Sequence, residues 1–110
     1  MQMQTPDVRD LLLLGGGHSH VQVLKHFAMQ PVPGVRLTLI SDDYVSPYSG
    51  MVPGYIAGHY SLEEIQIALE PLCRRAGARF ICAKVTGLDR DGGRVLMAGR
   101  PSLRYDVLSI

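Results

Sequence analysis

The stretch LLLLGGGHSHV, Leu11–Val21, limits the fold more than any other part of the chain. Four consecutive leucines leave a strand no polar side to show to water. Such a run belongs to a strand buried on both faces, as in a parallel sheet covered on each side. Three glycines then permit a turn too tight for residues that carry a Cβ. From Ser19 to Met29 the pattern is helical, with Val21, Leu24 and Ala28 on one face and Val23 and Phe27 widening it. Pro31, Pro33 and Gly34 stop that helix, and VRLTLI (Val35–Ile40) alternates as a second strand. The predicted fold class is therefore α/β, a Rossmann-like βαβ unit on a parallel sheet, followed by a β-hairpin or meander.

After Ile40, the segment SDDYVSPYSGMVPGYIAGHY carries four tyrosines with Met51 and Ile56, and reads as an ordered loop that lines something. Ser61 and Glu64 form a capping box for a short helix from Leu62. Pro71 prevents one continuous helix here. A break is expected near Gln66–Ala68, then a second helix from about Pro71, closed by Gly77. ARFICAKVTGLD (Ala78–Asp89) reads as the third strand and Asp91-Gly92-Gly93 as a hairpin turn. RVLMAG is then the returning strand, and RYDVLSI one more. Residues 1–10 read as a flexible tail and 11–110 as one domain. The chain stops inside its last expected strand, so a longer polypeptide is expected.

Composition mainly excludes. A length of 110 residues suits one small domain. A formal net charge of +1 with scattered basic residues gives no electrostatic case for nucleic acid. Leu11–Leu14 is far shorter than the roughly 20 residues that cross a bilayer. MQMQTPDVRD does not read as a signal or transit peptide, which makes a cytoplasmic location the default. Cys73 and Cys82 form no C-x-x-C and read as structural thiols.

Gly15-x-Gly17 between a buried strand and a helix is the first part of a dinucleotide fingerprint, with His20 where the third glycine normally stands. Gly15, Gly16, Gly17, His18, Ser19 and His20 are the candidate phosphate-binding residues. A neutral His18 or His20 ring would donate to phosphate, although His20 equally suits plain packing at a tight corner. Ser41 occupies the expected slot of the ribose-binding acid; Asp42 is the nearest carboxylate, with Asp43 next. A ligand-free glycine corner is the competing reading. His18, His20, His26 and His59 lack the spacing and partners of a zinc site, so no metal is expected.

Taken together, GGGHSHV, PYSGMVPGYIAGHYS and GARFICAKVTGLDRDGGRVL…RYDVLSI closely resemble the start of a pyridine nucleotide–disulfide oxidoreductase-type flavoprotein. The subgroup resembled is the type II NADH dehydrogenase-like module often fused ahead of selenide, water dikinase. The resemblance implies FAD in an extended pose, its pyrophosphate on Gly15–Gly17 and its adenosine ribose near Asp42. It places the loop of Pro47, Tyr48, Ser49, Gly50 and Met51 towards the flavin ring. It also implies that NAD(P)H binds a second, similar domain and passes hydride to the flavin. No reactive cysteine pair stands in the loop, so electrons are expected to leave to a quinone or another acceptor. On this reading the chain is the N-terminal part of an FAD-binding domain, not catalytically complete alone, and no catalytic acid or base stands out. A fused or partner dikinase domain is one implied association. Membrane docking stays open, since type II relatives dock through C-terminal segments. Two other readings compete: a non-catalytic nucleotide-binding module beside a selenophosphate-synthesising kinase-like domain, and a ligand-free fragment that self-associates through an edge at Arg104–Ile110.

Overall fold

The computed structural model describes residues 8–47 and 66–110, without the side chains of Pro47 and Gln66. Tyr48, Ser49, Gly50, Met51, the Ser61–Glu64 capping box and most of the expected tail lie outside the described residues. Strand β1 (Arg9–Leu14) leads into helix α1 (His18–Met29) and strand β2 (Val35–Ser41). Strand β3 (Val45–Pro47) pairs antiparallel with β4 (Gln66–Ala68), which runs directly into helix α2 (Leu69–Ala76). Strand β5 (Arg79–Cys82) follows, then β6 (Val85–Asp89), β7 (Arg94–Met97), β8 (Arg100–Arg104) and β9 (Val107–Ser109).

Four of these strands form a parallel sheet in the order β5-β2-β1-β9, with Leu14 level with Ile40 and Leu13 level with Ser109. The leucine run works as its composition requires. Leu11 and Leu13 pack towards the helices, Leu12 and Leu14 towards the opposite face. On the helix side, Val21 and Leu24 of α1 meet Leu69, Leu72, Cys73 and Ala76 of α2 over Leu37 and Leu39. Those α2 positions fall at the spacing of a single helical stripe, and Gly77 ends the helix in the left-handed region at φ +68°. The other face is covered by the antiparallel meander β6-β7-β8, whose Val95 and Met97 reach Leu12, Ile40 and Ile81.

One expected strand is divided between layers, and β8 (Arg100–Arg104) lies almost wholly between two expected strands, sharing only Arg104 with the last of them. Ala78–Asp89 breaks at Ala83–Lys84: the Ala83 N–H donates to the Ser41 carbonyl (3.0 Å), whereas the Lys84 carbonyl accepts from Ala98 (3.0 Å). Its first half therefore stays in the parallel sheet as β5 and its second enters the meander as β6. Arg104–Ile110 breaks at Tyr105–Asp106, where the Asp106 N–H donates to the Asp10 carbonyl (2.9 Å) and the Asp106 carboxylate accepts from the Asp10 N–H (2.7 Å). That exchange docks β9 onto β1, so one side of the expected free edge is paired. The β1 strand also starts at Arg9, two residues inside the expected tail. β8 contains Pro101, which an outer strand of a sheet tolerates.

Candidate functional site

The strand order reverses at β1: β2 and β5 lie to one side, and β9, last in sequence, lies to the other. In open parallel sheets such a reversal opens a crevice beyond the carboxyl ends of the two strands, because their following connections leave in opposite directions. Gly15, Gly16 and Gly17 occupy that position.

Each glycine answers a different demand. Gly15 has φ +92°, which a side chain would strain, and its N–H donates to the Ile40 carbonyl (2.8 Å). Gly16 faces the buried Leu69, and a Cβ there would come within 2.6 Å of Leu69 Cδ1. Gly17 is the N-cap of α1 with ordinary extended backbone, and a Cβ on it would meet nothing within 4 Å among the described residues. Nothing among the described residues therefore requires a glycine at position 17. Open space beside a helix N-terminus is what an approaching phosphate requires, since the first-turn N–H groups lack partners inside the helix. The residues present thus fit a pyrophosphate-bearing group. His18 and Ser19 of that first turn are exposed, and the turn contains no acidic residue to repel an anion.

At the end of β2, Ser41 is buried and its hydroxyl accepts from the Asp43 N–H (3.1 Å). Asp42 is exposed and follows β2 as Gly16 follows β1, two residues past the level pair Leu14–Ile40. The carboxylate thus stands one strand over from the turn, where a ribose hydroxyl would lie. Nearby, β3 packs against α1, and its Ser46 Oγ is buried with no hydrogen-bond partner among the described residues.

His20 is buried, and the chain itself engages both ring nitrogens: Nδ1 lies 2.7 Å from the Gly15 carbonyl and Nε2 2.8 Å from Ser109 Oγ. In this geometry neither nitrogen is left to donate to a phosphate, and the ring supports the turn from its buried side. Ser109 and Leu69 were not singled out by the sequence pattern. Ser109 is 89 residues from His20, and Leu69 reads locally as one more apolar helix position.

A cleft of about 400 Å3 lies along β5, lined by Tyr44, Glu70, Cys73, Arg74, Phe80 and Cys82 among others. Tyr44 and Phe80 stack at a tilt, 5.9 Å between centroids. Burial, with the charge of Glu70, pushes the Cys73 thiol up to about 11. Among the described residues no three His, Cys, Asp or Glu side chains gather as a metal site. No helix among them is long and apolar enough to cross a membrane.

A parallel sheet with a glycine turn at its reversal point, helices on one face and a meander on the other, defines a Rossmann-like α/β fold of the FAD/NAD(P)-binding type. The particular relatives are oxidoreductases. The sulfide-quinone reductase of Aquifex aeolicus (strain VF5) is 28% identical over 105 residues, covering 93% of this chain and 24% of that protein. The solved sulfide:quinone oxidoreductase of the same species superposes with a TM-score of 0.78 at 25% identity, over 92% of this chain and 23% of the other. NDH2 from Plasmodium falciparum, solved with NADH, shares the fold with a TM-score of 0.70 at 15% identity, over 91% and 21%. The chain thus spans about a quarter of the length of these relatives. No protein-family model matches it.

Proposed function

We propose that this chain is the FAD-binding portion of an NAD(P)H-dependent flavin oxidoreductase that delivers electrons to a quinone or another acceptor. The observation that carries the reading is the glycine turn at the reversal point of the sheet, with room at Gly17 that nothing among the described residues fills. The likeness to sulfide-quinone reductase supports it. FAD, when bound, would supply two-electron transfer between a nicotinamide and the acceptor. The chain's own part is to bind and orient. Backbone N–H groups of Gly16, Gly17, His18 and Ser19 would hold the pyrophosphate, and Asp42 would accept from the ribose. Pro47, Tyr48, Ser49, Gly50 and Met51 would approach the ring. No residue of this chain is proposed to bind the nicotinamide. The finer assignment, to the type II NADH dehydrogenase-like subgroup with a selenide, water dikinase partner, rests on PYSGMVPGYIAGHYS alone.

The test is an absorbance spectrum of the purified chain after incubation with FAD and removal of free cofactor. Wild type is expected to keep flavin bands, and Gly17→Asn to lose them while remaining folded. Asparagine caps helices well and the backbone there is ordinary, so the fold has no reason to suffer. A folded, colourless wild type would overturn the reading. NADH added to the coloured protein then asks whether the flavin is reduced or only held.

A further inference from the structure

We infer that His20 is a positioning residue of the phosphate turn: its imidazole holds the Gly15 carbonyl and, through Ser109, ties the turn to β9. This rests on the flavin reading, because it assigns the turn a ligand. It goes beyond it in giving a role to the residue that replaces the third glycine of the fingerprint.

The protonation pattern follows from the partners. A carbonyl only accepts, so the 2.7 Å contact requires the hydrogen on Nδ1. Nε2 is then the acceptor in a neutral ring, and the Ser109 hydroxyl donates to it across 2.8 Å. With both nitrogens satisfied, a ring only 4% exposed avoids the cost of an unpaired buried polar group.

The consequence for the ligand site comes from the planarity of the peptide. In a trans peptide the carbonyl of one residue and the N–H of the next point in opposite directions, and no peptide among the described residues is cis. Holding the Gly15 carbonyl at the buried ring therefore aims the Gly16 N–H away from it. The Gly15 N–H is held in turn by the Ile40 carbonyl (2.8 Å). Gly15 is thus fixed from both sides at a φ of +92°, and β2, α1 and β9 are joined through one residue. A third glycine lets helix and strand approach closely by being small. His20 instead fills the corner and connects it.

The test uses four variants in this chain: His20→Leu, His20→Asn, Ser109→Ala and Ser109→Thr. FAD affinity is read by quenching of flavin fluorescence, and the Gly16 amide resonance is followed by NMR during titration with FAD and with inorganic pyrophosphate. His20→Leu is expected to bind FAD at least about tenfold more weakly and to lose the Gly16 amide response. His20→Asn, whose amide superposes on Nδ1, should recover most of both. Ser109→Ala should weaken binding about threefold, and Ser109→Thr should restore it. Should His20→Leu fail to fold, the two Ser109 variants decide the matter. Equal affinity in wild type, His20→Leu and Ser109→Ala would overturn the role of His20 and leave the flavin site standing. A wild type that takes up neither FAD nor pyrophosphate would overturn both.

Discussion

The two faces of the parallel sheet are covered in different ways. On one, α1 and α2 lay continuous apolar stripes over Leu13, Leu37 and Leu39, and the helix residues facing the sheet are buried almost completely. On the other, the meander reaches the sheet with Val95 and Met97, while Leu88, Leu103 and Tyr105 stay half-buried. A helix presents a broad stripe, whereas a twisted three-stranded layer presents alternate residues of short strands. The glycine turn takes its support from the better-closed side, since Gly16 lies against Leu69 and His20 heads α1. The helix layer thus buries more residues against the sheet than the meander does, and the turn lies against that layer.

The adjacent residues Leu12 and Leu13, both essentially inaccessible, point to opposite faces and test this difference most directly. Leu13→Ala should cost about 4 kcal/mol and Leu12→Ala about 2 to 3 kcal/mol, because a more loosely packed site collapses better around a cavity. Equal losses in denaturant titrations would break the comparison. Next in size is Gly16→Ala, expected to cost about 1 to 3 kcal/mol by crowding the buried Leu69, against less than about 0.5 kcal/mol for Gly17→Asn. If the two glycines respond alike, the turn is not set by the helix layer.

The thiols sharpen the same contrast. Cys73, on the buried face of α2 with its thiol pushed up to about 11, should be alkylated at least about tenfold more slowly than the partly exposed Cys82 in native protein, and at a similar rate in denaturant. Mass spectrometry of timed samples would show the order. The smallest effect belongs to Asp10, at the end of β1 remote from the turn. Arg36 hydrogen-bonds its carboxylate and holds it below the ordinary value of 3.8. A depressed carboxylate contributes stability above that value and loses it as pH falls from there through the lower folded value. Because the Arg36 side chain is 59% exposed, the contribution stays under about 1 kcal/mol. Asp10→Asn should flatten only this acid limb and leave the difference between the faces intact.

How far the sequence disclosed this structure depends on the range of the interaction. The leucine run, α1, β2 and the glycine turn were legible, because periodicity and the lack of a Cβ act within a few residues. The end of α2 at Gly77 was legible for the same reason. The switches at Ala83–Lys84 and Tyr105–Asp106 were not: β-rich residues flank both, and neither glycine nor proline marks the change of layer. Of the site, the turn and the carboxylate at the end of β2 could be named. His20 could be named as well, but not its partner, since no local pattern ties a histidine to a serine 89 positions away.

That separation also bears on the order in which the molecule comes together. The unit of β1, α1 and β2 closes through short loops, which form early and at small entropic cost. β9 must return from the far end of the sequence to lie beside β1, with Asp106 96 positions from Asp10. During synthesis the glycine turn therefore emerges among the first segments but gains its serine contact among the last. A nascent chain carrying the turn without β9 would keep the Gly15 contacts to Ile40 and His20 but lack the serine hydroxyl that steadies the ring. On the proposed reading, the turn would reach its full affinity only once the sheet is complete.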